Sequence, residues 1–331
     1  MGVLNGALKR SADRRGERPK GAHDQARAAR RAASKRRKGP PLPSEIPIKR
    51  AFKKERTVSK NTSNSMPRDI NENLTAIDEV GYSVLENLID AKTIGVIKSE
   101  LAPFLQKDLM GRNNFEGLES ERVYALLAKA PSIAELIEHP TIIELLDKLL
   151  EPTYLLSANL AINVHPGETP QPYHADHASL PISDRTQMNG ISVIWALDDF
   201  TADNGATEIV KASHHWKTEL PSATTEPIKV IMPAGSAVIF HGSLYHRGGA
   251  NQSQTSRLAI TPQYCQPWLR QLENMVLAVP PAKAAQYSDR IQELLGYSIR
   301  EPGFMGYVDG IHPKRLIRDD YQGRHSRGLR S

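Results

Sequence analysis

Two stretches decide how this chain is read: Tyr173-His174-Ala175-Asp176-His177, and Tyr245-His246-Arg247-Gly248-Gly249-Ala250-Asn251 followed by Arg257. Side chains two apart on an extended strand project to the same face, so His174 and Asp176 can offer an imidazole and a carboxylate to one point. His246 would complete a two-histidine, one-carboxylate face, the ligand set that holds non-haem Fe(II) with positions left open. Arg257 supplies a permanent cation with forked donors suited to a small dicarboxylate. Gly248, Gly249 and Asn251 between them suggest a hairpin that returns Arg257 beside the metal.

A His-x-Asp pair alone is a weak signal, because such side chains often serve only as hydrogen-bonding partners in a fold. Context strengthens it. The pair follows His165-Pro166-Gly167-Glu168-Thr169-Pro170-Gln171, a breaker-rich approach suited to a barrel mouth. His241 is a rival third ligand, but only His246 stands eleven residues before the arginine. His214 and His215, adjacent in sequence, are expected to point apart and to make poor joint ligands. His177 is a candidate for a supporting or substrate contact, and His139 before Pro140 reads as a helix-boundary residue.

Outward from these stretches the texture after Pro152 is short β-type runs separated by Gly, Pro and Asp. Strands are expected at Tyr154 to Val164, Pro172 to Asp176, Gly190 to Leu197, Thr207 to Val210, Ile228 to Met232, Ala237 to Phe240 and Arg257 to Cys265. Such a set fits a jelly roll with a ligand at its mouth. Before it the reading is helical. A short helix leads into a strand around Ile77 to Val84, and an amphipathic helix runs from Asp90 to Leu109 with a bend at Pro103. Three short helices follow at Arg122 to Ala130, Ser132 to Glu138 and Thr141 to Leu150. Helix returns from Ala284 to Leu295. The fold class is thus mainly β with flanking helices.

The 331 residues carry a net charge of +6, which hides two opposed parts. Residues 1–60 hold 19 Lys or Arg against 5 Asp or Glu, leaving 24 basic and 32 acidic residues beyond, so the tail is about +14 and the remainder about −8. Residues 1–67 have too few large apolar side chains to offset chain entropy and are expected to be a basic, disordered tail. Within it Ala26 to Lys38 reads as a possible basic helix, and Lys35-Arg36-Arg37-Lys38 as a nucleic-acid or localisation patch. With no aromatic residue before Phe52, a base-stacking surface is disfavoured. The folded domain is expected at 68–312, with a polar, Arg-rich tail at 313–331. No apolar run approaches the roughly 18 residues of a membrane helix, and Cys265 is the only cysteine, which together point to the cytoplasm.

The chain resembles the phytanoyl-CoA dioxygenase family of iron- and 2-oxoglutarate-dependent oxygenases. The resemblance rests on Gln171 to His177, on Ala196-Leu197-Asp198-Asp199-Phe200 through Asp203-Asn204-Gly205-Ala206-Thr207 to Ser213-His214-His215-Trp216, and on Gly235 through Arg257. It implies a double-stranded β-helix in which His174, Asp176 and His246 bind Fe(II) and Arg257 binds the far carboxylate of 2-oxoglutarate. It also implies that Asn159, Asn163 and Trp195 help hold 2-oxoglutarate. Gly248 departs from the serine that some members carry there, so a backbone amide or water would have to serve. The implied reaction consumes O2 and 2-oxoglutarate, releases succinate and CO2, and oxidises a C–H bond of a small-molecule substrate, most simply by hydroxylation. An acyl-CoA would want a basic rim, for which only Arg247, Arg270 and Lys283 are at hand, so a smaller or neutral substrate is favoured. Three other readings stay open at this point: a non-catalytic jelly-roll binding protein, an oxygenase guided to nucleic acid by the basic tail, and a zinc hydrolase, which leaves Arg257 unexplained.

Overall fold

In a computed structural model the described residues are 69–177, 184 and 186–318. The expected basic tail and its Ala26 to Lys38 segment lie outside them. The chain divides into Met1–Thr62 and Ser63–Ser331, and all described residues belong to the second unit.

Helix α1 (Ile70–Glu79) leads into strand β1 (Tyr82–Leu85), and α2 (Ala91–Leu101) is capped by Asp90, whose carboxylate accepts from the Thr93 amide at 2.8 Å. Pro103 cannot continue that helix, and the chain tightens into a 3-10 turn at Ala102–Phe104 instead of running on to Leu109. Strand β2 (Ser120–Val123) occupies the start of a stretch that reads as helix; only α3 (Leu126–Lys129) is helical there, because Ser120 to Val123 is taken up in pairing with the neighbouring strand. After α4 (Ala134–Ile137), Pro140 opens α5 (Pro140–Leu149), whose Ile142, Leu145 and Leu146 form one buried stripe.

The remaining strands are β3 (Leu155–Val164), β4 (Gly190–Ala196), β5 (Thr207–Ile209), β6 (Ile228–Lys229), β7 (Ala237–His241), β8 (His246–Gly248) and β9 (Arg257–Cys265). They form a six-stranded sheet in the order β1-β7-β4-β9-β3-β2 and a three-stranded sheet in the order β6-β5-β8. This is the two-sheet architecture of a double-stranded β-helix. The expected strand from Pro172 to Asp176 is reduced to one antiparallel bridge, His174 with His246. Two short helices, α6 (Met275–Ala278) and α7 (Pro281–Ala284), precede α8 (Asp289–Leu295), to which the helix expected from Ala284 to Leu295 is confined. Packed chain continues past residue 312, since Leu316 and Ile317 of a 3-10 turn lie against the main core. Among the described residues no helix is long and apolar enough to cross a membrane.

The large sheet has two unlike faces. Its outer face packs Ile191, Val193, Trp195, Leu258, Ile260 and Tyr264 into the main core with α1, α2 and α5. Its inner face contributes Ile194, Ala196, Val238, Phe240 and Ala259 to a second cluster, shared with Ile209 of the small sheet. The register couples these assignments, because partners directly opposite in an antiparallel pair share a face. Val164 opposes Arg257, Leu160 opposes Thr261 and Asn163 opposes Leu258.

Candidate metal centre

His174 and His246 exchange backbone hydrogen bonds of 3.0 and 2.9 Å, which sets their side chains opposite one another with ring centroids 4.3 Å apart. Asp176 follows in a turn, not on a strand, and the turn still carries its carboxylate inward: Oδ1 lies 3.9 Å from His174 Nε2 and 3.7 Å from His246 Nε2. One ligand atom from each of the three falls within 4.8 Å of the others, and no second such group occurs among the described residues.

The surroundings fix the chemistry of the donors. His174 Nδ1 donates to the Pro172 carbonyl at 3.1 Å and His246 Nδ1 to the Leu244 carbonyl at 3.0 Å. A carbonyl can only accept, so both rings carry their proton on Nδ1 and present the Nε2 lone pair to the centre. Burial, with His246 alongside, pushes His174 down to about 4, so its ring is neutral at ordinary pH. Burial alone would raise Asp176, but His246, His174 and a hydrogen bond from the Ser192 hydroxyl outweigh it and hold the carboxyl below its usual range. Two imidazole nitrogens turned to the centre through Nε2 and an ionised carboxylate fit a divalent iron.

The centre opens on a cavity of about 560 Å³ between the two sheets. At the end away from Ser192 stands Arg257, first residue of β9 and 4% exposed. One terminal nitrogen donates to the Gly205 carbonyl, the ring of Phe200 lies 4.4 Å away, and Nε has no partner. No carboxylate among the described residues comes within ion-pair distance. Burial lowers it to about 10, with Asp198 acting the other way, so it is still cationic at neutral pH. A buried, unpaired guanidinium is costly unless an anion completes it, and a dicarboxylate held at the metal would do so. No hairpin brings Arg257 here: β8 belongs to the small sheet and β9 to the large one, so the loop between them passes from one sheet to the other and Arg257 lines the cavity from the large sheet.

Asn159, Asn163 and Trp195 correct the expectation made for them. All three lie on the outer face of the large sheet, and none lines the cavity. Trp195 is fully buried in the helix-side core, edge-on to the ring of His139 with centroids 5.4 Å apart. Asn163 donates to Glu121 at 3.0 Å, and His165 meets the same oxygen at 2.7 Å. Asn159 is buried with no partner for its amide among the described residues. The Gly248 amide is not free for a co-substrate either, since it donates to Gln171 Oε1 at 2.8 Å, and a Cβ at Gly248 would meet that oxygen at 2.9 Å.

The other histidines stand apart from the triad. His241 Nδ1 accepts from the Ser243 amide at 3.0 Å. His177 is lodged between Gly190 and Gly242, where any Cβ would come within about 2.2 Å of its ring. His214 and His215 do not point apart: a 3-10 turn stacks their rings with centroids 3.8 Å apart. Arg247, Arg270 and Lys283 do not line the cavity; Arg247 pairs with Glu208 at 2.7 Å and covers Tyr173. Three contributors were not singled out from sequence. Ser192 anchors Asp176, Phe115 sets its ring edge-on to His174 at 4.9 Å, and Gln171 ties the Phe115 carbonyl to Gly248. Only Gln171, inside the quoted motif, had a signal in the sequence.

A double-stranded β-helix with two histidines and a carboxylate at its mouth and a buried cation across the cavity defines the class of iron- and 2-oxoglutarate-dependent dioxygenases. The model of the phytanoyl-CoA dioxygenase (PhyH) family matches residues 77–259. The chain belongs to that family, and it is an Fe(II)/2-oxoglutarate-dependent dioxygenase. It is similar to dioxygenase swnH2 of Arthroderma benhamiae, 26% identical over 83% of this chain and 95% of the relative. It is also similar to dioxygenase FUM3 of Gibberella moniliformis, 26% identical over 68% and 81%. Two solved structures share the fold. The α-ketoglutarate-dependent carbocyclase SnoK from nogalamycin biosynthesis has a TM-score of 0.52 at 19% identity, covering 61% of this chain and 87% of SnoK. HygX from Streptomyces hygroscopicus, with nickel and 2-oxoglutarate bound, has a TM-score of 0.52 at 14% identity, covering 60% and 88%.

Proposed function

We propose that His174, Asp176 and His246 hold the iron, that Arg257 binds the distal carboxylate of 2-oxoglutarate, and that the enzyme hydroxylates a C–H bond of a small organic molecule. The observation that carries the assignment is the pairing, in one cavity, of two proton-sorted imidazoles and a carboxylate with a buried arginine that makes no ion pair among the described residues. When bound, iron and 2-oxoglutarate supply the oxidising power, O2 being consumed as the co-substrate becomes succinate and CO2.

The protein's own share is orientation and exclusion of water. The Pro172 and Leu244 carbonyls lock the two rings, and Ser192 holds one carboxylate oxygen so that the other faces the metal. Leu160, Ile162, Ile194 and Phe240 give the cavity apolar walls, which keep the reacting C–H bond away from bulk water. A small substrate is supported by the cavity's size, by the position of Arg247, Arg270 and Lys283 away from its lining among the described residues, and by structural neighbours such as SnoN, solved with nogalamycin RO, and HygX, solved with hygromycin B. Action in the cytoplasm is supported by the lone, buried Cys265.

Replacing His174, Asp176 or His246 singly with Ala is expected to weaken Fe(II) binding by more than about a hundredfold, beyond the effect typical of groups that only orient ligands. Equilibrium dialysis under anaerobic conditions measures it; wild-type affinity in all three variants would remove the assignment.

A further inference from the structure

The polar side chains of the cavity can be sorted by what they already bind. Ser120 donates to Glu168, Gln171 bridges Gly248 and Phe115, Ser192 donates to Asp176, and Thr261 donates to the Leu160 carbonyl at 3.2 Å. The Thr207 hydroxyl and the Gln263 carboxamide, both lining the cavity, make no hydrogen bond among the described residues; of the two, Thr207 is buried and only Gln263 is partly exposed.

Its position gives that free amide a meaning. Gln263 lies six residues beyond Arg257 on the same face of β9, about 20 Å along an extended strand, so the two mark opposite ends of the cavity. Its cross-strand partner is Ser192, the residue that anchors Asp176. Gln263 therefore stands at the metal end, where Leu160, Ile194, Phe240 and Leu272 make the remaining wall apolar. Among the described residues the charged side chains nearby already hold partners. Arg122 donates to the carbonyls of Glu116 and Phe115, and Glu168 accepts from Ser120 and from the backbone amides of Glu119 and Thr169.

We infer that Gln263 is a specificity-determining residue that hydrogen-bonds an uncharged polar group, a hydroxyl, ketone or amide, on an otherwise apolar substrate. A carboxamide both donates and accepts, so it can read any of these. An ammonium placed beside it would be desolvated among aliphatic walls with no unpartnered carboxylate among the described residues to meet it, and a carboxylate would have to draw on Arg122, which already donates to two carbonyls. The inference rests on the proposed iron and co-substrate site, because that site fixes which end of the cavity the substrate occupies.

The test uses the anaerobic Fe(II)·2-oxoglutarate complex of the full chain and follows the shift of its visible charge-transfer band on titration with three probes of one shape: 4-phenylbutanamide, 4-phenylbutanoate and 4-phenylbutylammonium. The amide is expected to bind wild type at least about fivefold more tightly than either ion. In Gln263→Leu, nearly isosteric, its affinity falls about three- to tenfold, the range of one neutral hydrogen bond. In Gln263→Glu the ammonium overtakes the amide. Tightest binding by the carboxylate would overturn the inference and point to Arg122, and so would equal binding of all three, a wild-type ranking preserved in both variants, or no shift with any probe. A wild-type protein that forms no band at all would instead strike the iron and co-substrate assignment itself, and this inference would fall with it.

Discussion

The two faces of the large sheet share every backbone atom and almost the same residue types, yet one builds a core and the other a reaction chamber. On the outer face Trp195 and Glu121 are buried, and Asn163 donates to Glu121 at 3.0 Å. On the inner face Ser192, Gln263 and Arg257, each one or more strand positions out of phase with them, meet a cavity. The difference is parity: one residue of register exchanges the two populations. A polar or aromatic residue close in sequence to a metal motif is therefore no guide to function until its face is known.

The contrast can be broken or sharpened by substitution. Trp195→Ala removes a fully buried ring from the helix-side core and is expected to cost about 3–5 kcal/mol of stability. Iron and 2-oxoglutarate affinities of the folded protein should be unchanged, as chemical denaturation beside ligand titration would reveal. A selective loss of 2-oxoglutarate binding would put the indole back at the chamber. Asn163→Ala withdraws one donor from a nearly buried Glu121 and should cost about 1–3 kcal/mol, again with no change in co-substrate affinity.

The smallest effect concerns acid. In metal-free protein burial is the main cause that lowers His241, to about 3, and also lowers His214 and His139. Unfolded histidines titrate near 6.5, so below that the unfolded chain binds more protons than the folded one. Stability from these groups is complete above about pH 7 and declines as pH falls through about 6.5 toward 3, by about 1 kcal/mol per fully shifted histidine between pH 7 and 5.5. Calorimetry across that range should show the decline, and His241→Gln should flatten it; a melting temperature independent of pH would contradict the packing described.

Much of this architecture was legible in the sequence. Arg257 to Cys265 reads as a strand with its true ends, because β-branched and aromatic residues run between breakers, whereas Pro103 ends a helix expected only to bend there. The spacing of His174, Asp176, His246 and Arg257 marked the residues that converge. The route by which they converge was hidden, since a His-x-Asp pair looks the same in a strand as in the bridge-and-turn it adopts. Nor does a glycine-rich loop announce whether it closes a hairpin or crosses between sheets. Asn159 and Asn163 could not be assigned a face without the β3–β9 register, and Ser192 becomes meaningful only once β4 lies beside Asp176.

Anaerobic addition of Fe(II) and then 2-oxoglutarate to wild type and to Arg257→Met tests most directly how the cavity is divided. Wild type should develop a visible charge-transfer band. The variant should need roughly ten- to a hundredfold more 2-oxoglutarate to reach it, the worth of a charged hydrogen-bonded contact, with Fe(II) affinity unchanged. A variant that binds 2-oxoglutarate as tightly as wild type, or a folded wild-type protein with no band, would contradict the proposed division of the cavity between metal and arginine.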